Sequence, residues 1–151
     1  MTDHEVGAGA APQRVSEDGV IGRIPLLRFL GLRVVEPPAF GVYSVAMDLH
    51  PNSLNLMGSP HGGALASLID HAGGHATGVL LGRGGPTVDL HIRYLTVPRQ
   101  PGAVRADARI IREGRSLVVV AVDVLDAEDR LLATGSLTVA PRQGRPEAPP
   151  D

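Results

Sequence analysis

The chain has 151 residues, the length of one ordinary domain, and 43% of them are hydrophobic, which is enough for a core. It contains no Cys, and all 14 basic residues are Arg, so thiol nucleophiles, disulfides, Cys-based zinc sites and Schiff-base lysines are excluded. A net charge of −2, with two Phe, two Tyr and no Trp, disfavours nucleic acid as a partner, because such surfaces need basic and aromatic side chains.

The two ends of the chain do not have the composition of a folded domain. Residues 1–19 are acidic and rich in small residues, without the apolar run of a signal peptide, and residues 141–151 are polar and rich in Pro. We expect a disordered N-terminal segment over 1–19, one folded domain over 20–140 and a disordered tail over 141–151. Because no apolar run reaches the roughly 18 residues of a transmembrane helix, we expect a soluble, cytoplasmic protein with no membrane partner.

Apolar periodicity and turn residues predict one short helix, two strands, a loop, one long helix and four further strands, in that order. These elements cover residues 18–31, 32–36, 40–50, 51–60, 61–81, 87–97, 104–112, 116–125 and 131–140. The second strand alternates between two faces. Turns at 112–115 and 126–130 indicate hairpins between the last strands. One long helix wrapped by an antiparallel sheet is a stable layer arrangement, so the predicted fold class is α+β.

The long helix is unusually rich in small residues, and Gly73 and Gly74 lie in its middle. Each glycine costs about 1 kcal/mol relative to Ala inside a helix. A helix that accepts this cost is expected to be buried, with another backbone packed close against it.

Two glycines, Gly62 and Gly63, open the long helix directly after His61. A helix N-terminus presents unpaired N–H groups and the positive end of the helix dipole, and glycine lets a ligand oxygen approach that backbone closely. This is the geometry of an oxyanion hole, in which N–H groups point at developing negative charge. The alternative interpretation is that the two glycines only relieve crowding where the helix meets the sheet.

One carboxylate, Asp70, lies in the middle of the helix between Ile69 and His71, among small apolar residues. We expect a carboxylate at this position to be desolvated, and therefore costly unless it is paired or used in a reaction. The alternative interpretation is a structural Asp that is bonded to a neighbouring backbone or Arg.

The spacing of Gly62 and Asp70 restricts how they could act together. They are eight residues apart on one helix, which is about 12 Å at 1.5 Å per residue. One carbonyl group cannot contact both, because reacting atoms must approach within roughly 3–3.5 Å. If both serve one reaction, Asp70 must come from another subunit, and two antiparallel helices about a two-fold axis would supply it. Catalysis and dimerisation are therefore one hypothesis.

The loop, the helix start and the following strand together resemble the hotdog-fold acyl-CoA thioesterases of the PaaI-like type. The shared pattern is Asn55-x5-His61-Gly62-Gly63-x6-Asp70, followed on the next strand by Thr87-Val88-Asp89-Leu90. Residues 25–32 and the hairpin at 112–116 also resemble that family, and the resemblance covers about 22–140. It implies a hotdog fold, in which a curved antiparallel sheet wraps a long central helix. It also implies an acyl-CoA substrate and homodimers with shared active sites, commonly paired into tetramers.

The resemblance implies a role for each matching residue. Asp70 matches the catalytic carboxylate, as general base on water or as nucleophile, and Gly62 matches the backbone N–H that binds the thioester oxygen. Asn55 matches a polar residue near the carbonyl or the leaving group, for which Asn52 is a less well spaced competitor. His61 matches the supporting residue that opens the glycine pair. Thr87 falls where the family often has a Ser or Thr that orients the water.

Two further substrate-binding residues are predicted, Gly63 and His71. His71 and His75 also have the i, i+4 spacing of zinc ligands, with His61 or His91 as a distant third candidate. The metalloprotease Glu is absent between them, so we favour two polar residues that face a dimer seam or a pocket. No metal and no cofactor is predicted.

Three functions stay open at this point: an acyl-CoA thioesterase, a hotdog acyl-CoA hydratase or dehydratase with His61 or His71 as base, and a non-catalytic acyl-CoA-binding module. A serine hydrolase is disfavoured because no G-x-S-x-G elbow exists. The acyl group and the tetramer arrangement are not predictable from these residues. Five arginines are candidates for the phosphates of coenzyme A, with no choice among them: Arg93, Arg99, Arg109, Arg112 and Arg115.

Overall fold

The computed structural model describes residues 18–142, which form three helices, one 3₁₀ turn and six strands. Before the first strand lie the short helices α1 and α2, and the long helix α3 follows the 3₁₀ turn. The helices are α1 (Asp18–Arg23), α2 (Pro25–Phe29) and α3 (Gly62–Leu81), and the turn is Pro51–Ser53. The strands are β1 (Leu32–Val35), β2 (Val42–Asp48), β3 (Thr87–Tyr94), β4 (Ala103–Glu113), β5 (Val118–Leu125) and β6 (Leu131–Val139).

The six strands form one antiparallel sheet in the order β1-β2-β4-β5-β6-β3. Tight turns connect β4 to β5 and β5 to β6, as predicted. At the second turn Asp126 Oδ1 accepts hydrogen bonds from the N–H groups of Glu128 and Arg130, each at 3.0 Å. Because β3 pairs with β6 and not with β2, helix α3 must cross the whole sheet between them. Strand β3 therefore lies at an edge of the sheet.

Helix α3 packs on the concave face of the sheet and supplies the centre of the core. Leu68, Ile69 and Ala72 are fully buried. The close approach that the small residues predict is confirmed at strand β6. A Cβ at Gly73 would lie 2.2 Å from Leu137 Cδ2, and a Cβ at Gly135 would lie 2.5 Å from Ile69 Cγ2. Glycines on both elements thus allow the helix to lie directly on the sheet.

The predicted single helix over 18–31 is wrong in one respect, because the structure divides it into α1 and α2. Ile24 has extended dihedrals (φ −103°, ψ 107°) and precedes Pro25, which is the first residue of α2. A residue before proline is driven out of the helical region, since the proline ring clashes with its backbone. The break therefore follows from the sequence.

The predicted alternation of β2 holds only for its inner face. Tyr43, Val45 and Met47 point into the core, but Ser44 on the outer face is also buried. Its hydroxyl donates a 2.6 Å hydrogen bond to Asp107 Oδ1 on β4, and Arg105 binds the same carboxylate at 2.9 Å. An ion-paired network on the outer face, and not apolar contact, takes Ser44 out of solvent.

The predicted disordered segments lie outside the described residues, apart from 18–19 and 141–142. Residues 18–19 belong to α1, and the N–H of Arg142 donates to Gly84 O at 3.0 Å. The domain boundaries therefore stay a prediction. Within residues 18–142, none of the helices combines the length and the hydrophobicity that a bilayer crossing requires.

Candidate functional site

The first residues of α3 are organised by the side chain that precedes them. His61 is the N-cap residue, and its Nδ1 accepts a 2.9 Å hydrogen bond from the N–H of Gly63. The N–H of Leu65 donates to the carbonyl oxygen of His61 at 3.0 Å. Within residues 18–142 the N–H of Gly62 has no acceptor. The N-terminal turn thus leaves the Gly62 N–H available to a ligand, at the positive end of a 20-residue helix.

Crowding explains only one of the two glycines at this helix start. A Cβ at Gly63 would lie 3.1 Å from the His61 Nδ1 atom that caps the helix, which is a tight contact. A Cβ at Gly62 would lie 3.4 Å from the ring of Tyr94, which is ordinary van der Waals contact. The neighbours of Gly62 therefore do not require a glycine, so crowding does not explain this one.

Asn55 lies in a closed loop directly before α3. Its Oδ1 accepts hydrogen bonds from the N–H groups of Met57 at 2.9 Å and Ser59 at 3.1 Å. A bridge between Leu54 and Pro60 closes the loop, so Asn55 lies close to the start of the helix. Because two N–H groups donate to this atom, it is the oxygen and not the nitrogen of the Asn55 side-chain amide. The NH₂ group of the amide can then donate to another group.

The competing residue, Asn52, points away from this loop. Its Nδ2 donates to the carbonyl oxygen of Phe29 in α2 at 3.4 Å, and its N–H donates to His50 Nδ1 at 3.3 Å. The role of Asn52 is to connect the 3₁₀ turn to α2, and Asn55 is the better candidate of the two.

Asp70 and Thr87 contact each other directly. The Thr87 hydroxyl donates a 2.8 Å hydrogen bond to Asp70 Oδ1, which joins the middle of α3 to the first residue of β3. The expectation of a desolvated carboxylate is wrong for the single chain, because Asp70 is exposed. The physical reason is its position on the face of α3 that the sheet does not cover. Its hydrogen-bond donor is a threonine of β3, whereas the structural alternative named a neighbouring backbone group or Arg.

His71 lies on the other side of this uncovered face. Its ring stacks on that of His75 at a centroid distance of 5.3 Å, and His75 in turn contacts Tyr43 of β2. Burial, followed by the nearby charge of His75, lowers the pKa of His71 to about 4, and the charge of Asp70 opposes this shift. His71 is therefore neutral near pH 7. Its Nε2 is buried and has no hydrogen-bond partner within the described chain.

Zinc binding, the less favoured interpretation of His71 and His75, requires at least a third ligand close to them. Over the part of the chain that the structure describes, no three His, Asp or Glu side chains are close enough together to hold a metal ion. His71 and His75 therefore lack a third protein ligand among residues 18–142.

One residue of this region was not predicted from the sequence, Tyr94. Its hydroxyl donates a 2.8 Å hydrogen bond to the carbonyl oxygen of Gly62. Strand β3 therefore contacts α3 at both ends, through Thr87 at Asp70 and through Tyr94 at Gly62. The available signal was weak: Tyr94 is one of two Tyr residues in the chain, at the end of the strand that Thr87 begins.

Comparison with known proteins gives a consistent result. The family model described as the thioesterase superfamily matches residues 57–133, which is 77 of the 151 residues. A putative esterase of Halobacterium salinarum is 35% identical over 123 residues, covering 73% of this chain and 80% of that protein. Acyl-coenzyme A thioesterase 13 of Homo sapiens is 28% identical over 116 residues, covering 74% and 81%.

The fold agrees with solved structures as well. A hypothetical thioesterase protein from Streptococcus pneumoniae, crystallised with coenzyme A, superposes with a TM-score of 0.67 at 25% identity, covering 76% of this chain and 90% of that one. The central helix and the six-stranded antiparallel sheet confirm the predicted hotdog fold.

Proposed function

This chain belongs to the thioesterase superfamily and is a thioester hydrolase, and from that premise we propose that it cleaves acyl-coenzyme A to a carboxylic acid and free coenzyme A. Two comparisons support this substrate class. The human relative is named an acyl-coenzyme A thioesterase, and the related pneumococcal structure contains coenzyme A.

The observation that carries the proposal is the pair of contacts at the two ends of β3. Thr87 at one end contacts Asp70, and Tyr94 at the other end contacts Gly62. These two halves of a site are separated along α3 by about 12 Å, eight residues at 1.5 Å each. A single chain therefore cannot place both at one carbonyl group.

A second copy of the chain would bring the two halves together. Strand β3 is an edge strand, and the apolar side chain of Val88 is exposed on it. Antiparallel pairing of β3 with its copy, about a two-fold axis near the middle of the strand, places the Thr87 end of one strand beside the Tyr94 end of the other. Asp70 then faces Gly62 of the partner subunit. The proposed enzyme is a homodimer with two shared sites.

The chemistry of such a site follows from its groups. The thioester oxygen accepts a hydrogen bond from the N–H of Gly62 of the partner subunit, which stabilises the oxyanion of the tetrahedral intermediate. Asp70 takes a proton from water as the water oxygen attacks the carbonyl carbon. Because Thr87 occupies Oδ1, the other carboxylate oxygen of Asp70 is free for that proton. The intermediate collapses by breaking the carbon–sulfur bond, and the proton passes from Asp70 to the departing thiolate.

The remaining predicted residues have supporting roles in this proposal. The free NH₂ group of Asn55 donates to the carbonyl group or to the sulfur of coenzyme A. His61 fixes the first turn of α3 by accepting the hydrogen bond from the N–H of Gly63. Because that N–H is already bonded, the role of Gly63 is to let the substrate approach the backbone closely. His71 stays a predicted substrate-binding residue.

The hydratase alternative has less physical support than hydrolysis. It needs a histidine base, but His61 uses Nδ1 to cap α3, and a pKa of about 4 makes His71 a weak base. The PaaI-like subtype, the pairing of dimers into tetramers and the cytoplasmic location stay predictions.

The proposal is tested by thiol release from a panel of aryl and fatty acyl-coenzyme A substrates. We expect Asp70→Asn to lower kcat by about 100- to 10,000-fold, as removal of a general base does, while the protein stays dimeric. Asp48→Asn is the matched control, because it makes the same chemical change at an exposed carboxylate whose ion pair with Arg33 lies elsewhere. Equal activity of Asp70→Asn and wild type on every substrate would contradict the proposal.

The same reaction separates the two roles of Asp70. In a single turnover in ¹⁸O-labelled water, attack by water places the label in the acid product. Attack by Asp70 itself forms an anhydride, and its hydrolysis at the enzyme carbonyl would place the label in Asp70.

A further inference from the structure

We propose that Tyr94 is a positioning residue of the oxyanion site, which holds the N–H of Gly62 in the direction that the thioester oxygen requires. This inference rests on the proposed function. It assigns to Tyr94 a role exerted through Gly62, without contact between Tyr94 and the reacting atoms.

The need for such a residue follows from the sequence at the helix start. Two consecutive glycines leave the backbone at Gly62 and Gly63 with more conformational freedom than any other pair. Helix ends also fray, because their first N–H groups lack intrahelical partners. An oxyanion donor is effective only if its direction is fixed before the reaction. Some other group must therefore restrict this turn.

Hydrogen bonds restrict both peptide units that flank the α-carbon of Gly62. In the unit that follows it, the carbonyl oxygen accepts from the Tyr94 hydroxyl at 2.8 Å and the N–H of Gly63 donates to His61 Nδ1 at 2.9 Å. In the unit that precedes it, the carbonyl oxygen of His61 accepts from Leu65 N–H at 3.0 Å. With both planes held, the N–H of Gly62 has little freedom to turn.

Tyr94 is itself placed on a rigid element. It pairs with the buried Ala133 of β6, and the next residue, Leu95, donates its N–H to Leu132 O at 2.8 Å. The ring lies against Gly62, with ring atoms 3.4 Å from the position of a Cβ there. The pairing of β3 with β6 therefore fixes where Tyr94 lies relative to the first turn of α3.

Exposure distinguishes this role from a structural one. In the single chain Tyr94 is 54% exposed, so the fold of one subunit does not need its hydroxyl to satisfy a buried polar group. Removing it exposes no orphaned donor or acceptor to an apolar interior. Its loss should therefore change catalysis more than stability.

The first experiment compares Tyr94→Phe with wild type and with Tyr43→Phe, which deletes the hydroxyl of the other tyrosine, in β2. For Tyr94→Phe we expect kcat to fall about five- to tenfold, the effect of one neutral hydrogen bond, with little change in KM or Tm. Tyr43→Phe should keep the wild-type kcat. A loss expressed only in KM, or an equal loss in both variants, would overturn the assignment.

The second experiment asks whether Tyr94 acts through the Gly62 N–H. Gly62→Pro deletes that N–H at a position that tolerates proline, since proline is favoured at the first helical position and His61 already has the extended dihedrals (φ −66°, ψ 135°) that precede a proline. The added Cβ lies 3.4 Å from the Tyr94 ring, which is ordinary van der Waals contact. In this background, measured by single turnover, Tyr94→Phe should cause no further loss of rate. The same five- to tenfold loss in both backgrounds would refute the inference.

A third measurement does not depend on activity. Amide hydrogen exchange of Gly63, whose N–H is bonded to His61 Nδ1, should accelerate about tenfold in Tyr94→Phe when followed by NMR and stay unchanged in Tyr43→Phe. Unchanged exchange in Tyr94→Phe would overturn the inference even if the protein hydrolyses thioesters. Accelerated exchange in a protein that releases no thiol would instead show that the proposed function, and not the contact, had failed.

Discussion

The small residues on the two faces of α3 differ in how closely their neighbours pack against them. On the face toward the sheet, Ala72 and Gly73 are buried, and a Cβ at Gly73 would lie 2.2 Å from Leu137 Cδ2. On the open face, a Cβ at Gly74 would lie 3.6 Å from the Thr87 hydroxyl oxygen, which is ordinary contact. Packing therefore demands glycine on the first face and only permits it on the second.

This difference helps to separate structural from functional glycines. A glycine that no neighbour requires still costs about 1 kcal/mol of helix stability, so another reason must be sought for it. Under the proposed function that reason is the free N–H at Gly62, and at Gly74 it is the vicinity of the Asp70–Thr87 pair. On the open face the helix thus accepts a cost in stability that packing within one chain does not explain.

Among the variants that test the difference between the two faces of α3, Gly62→Pro should have the largest effect, a loss of kcat. Loss of one oxyanion donor costs about 100- to 1,000-fold in kcat, and the fold should persist because the first helical position tolerates proline. Gly62→Ala retains the N–H and directs its methyl group at the Tyr94 ring, so its kcat should remain within a few-fold of wild type. Equal kcat values for the two variants would show that the N–H of Gly62 is not used.

The sheet-facing side is tested by Gly73→Ala. The added methyl group meets Cδ2, Cδ1 and Cγ of Leu137 at 2.2, 2.9 and 3.0 Å, and Leu137 is fully buried. The side chain must change its rotamer in a packed core, which costs about 1–3 kcal/mol. We expect a lower midpoint of denaturant unfolding.

Gly74→Ala is the matched control on the adjacent residue. It removes the helix penalty of glycine, about 1 kcal/mol, without a clash. Its unfolding midpoint should equal or exceed that of wild type. If the two variants lost the same stability, the distinction between the two faces of α3 would fail.

The order of elements and the fold class were predictable because apolar spacing and turn residues act locally. The long helix and the hairpins follow from periods of 3.6 and 2 residues. The division of the first helix at Ile24 was missed because Pro25 was interpreted as an early residue of one segment, and its effect on the preceding residue was not considered. The burial of Ser44 was not predictable, because it depends on which residue of β4 lies opposite it.

The candidate site also has one part that the sequence predicts and one part that it does not. The rise of the helix alone indicates that Gly62 and Asp70 cannot meet at one carbonyl group within one chain, and the shared site stays a prediction made from the sequence. The contact of Tyr94 with Gly62 depends on where β3 lies along α3, and the register of β3 on β6 includes a bulge between Thr87 and Asp89. Nothing in the linear pattern specifies that offset.

On the open face, a smaller effect is expected at Thr87. Thr87→Val keeps the shape of the side chain but removes the donor to Asp70 Oδ1, so the carboxylate loses its fixed direction. We expect kcat to fall about tenfold. Thr87→Ser, which keeps a hydroxyl, should retain most of the activity in the same thiol-release assay. A fully active Thr87→Val would mean that the hydrogen bond orients nothing that the reaction uses.

The smallest effect is expected at His71, on the border between the two faces, and it is an effect of pH. Burial and the charge of His75 lower the pKa of His71 in the folded chain to about 4, against the opposing charge of Asp70, whereas the unfolded value is 6.5. The unfolded chain therefore binds this proton first, and stability is lost as pH falls from about 6.5 toward 4. Above pH 6.5 the group is neutral in both states and has no effect.

His71→Gln should therefore reduce the fall in Tm between pH 7.5 and pH 5 by a few degrees, the size expected from a change of about 1 kcal/mol. If His71→Gln lost as much Tm on acidification as wild type, the ring of His71 would have to be more hydrated than its contact with His75 indicates. The open face would then reach further around α3, toward β2.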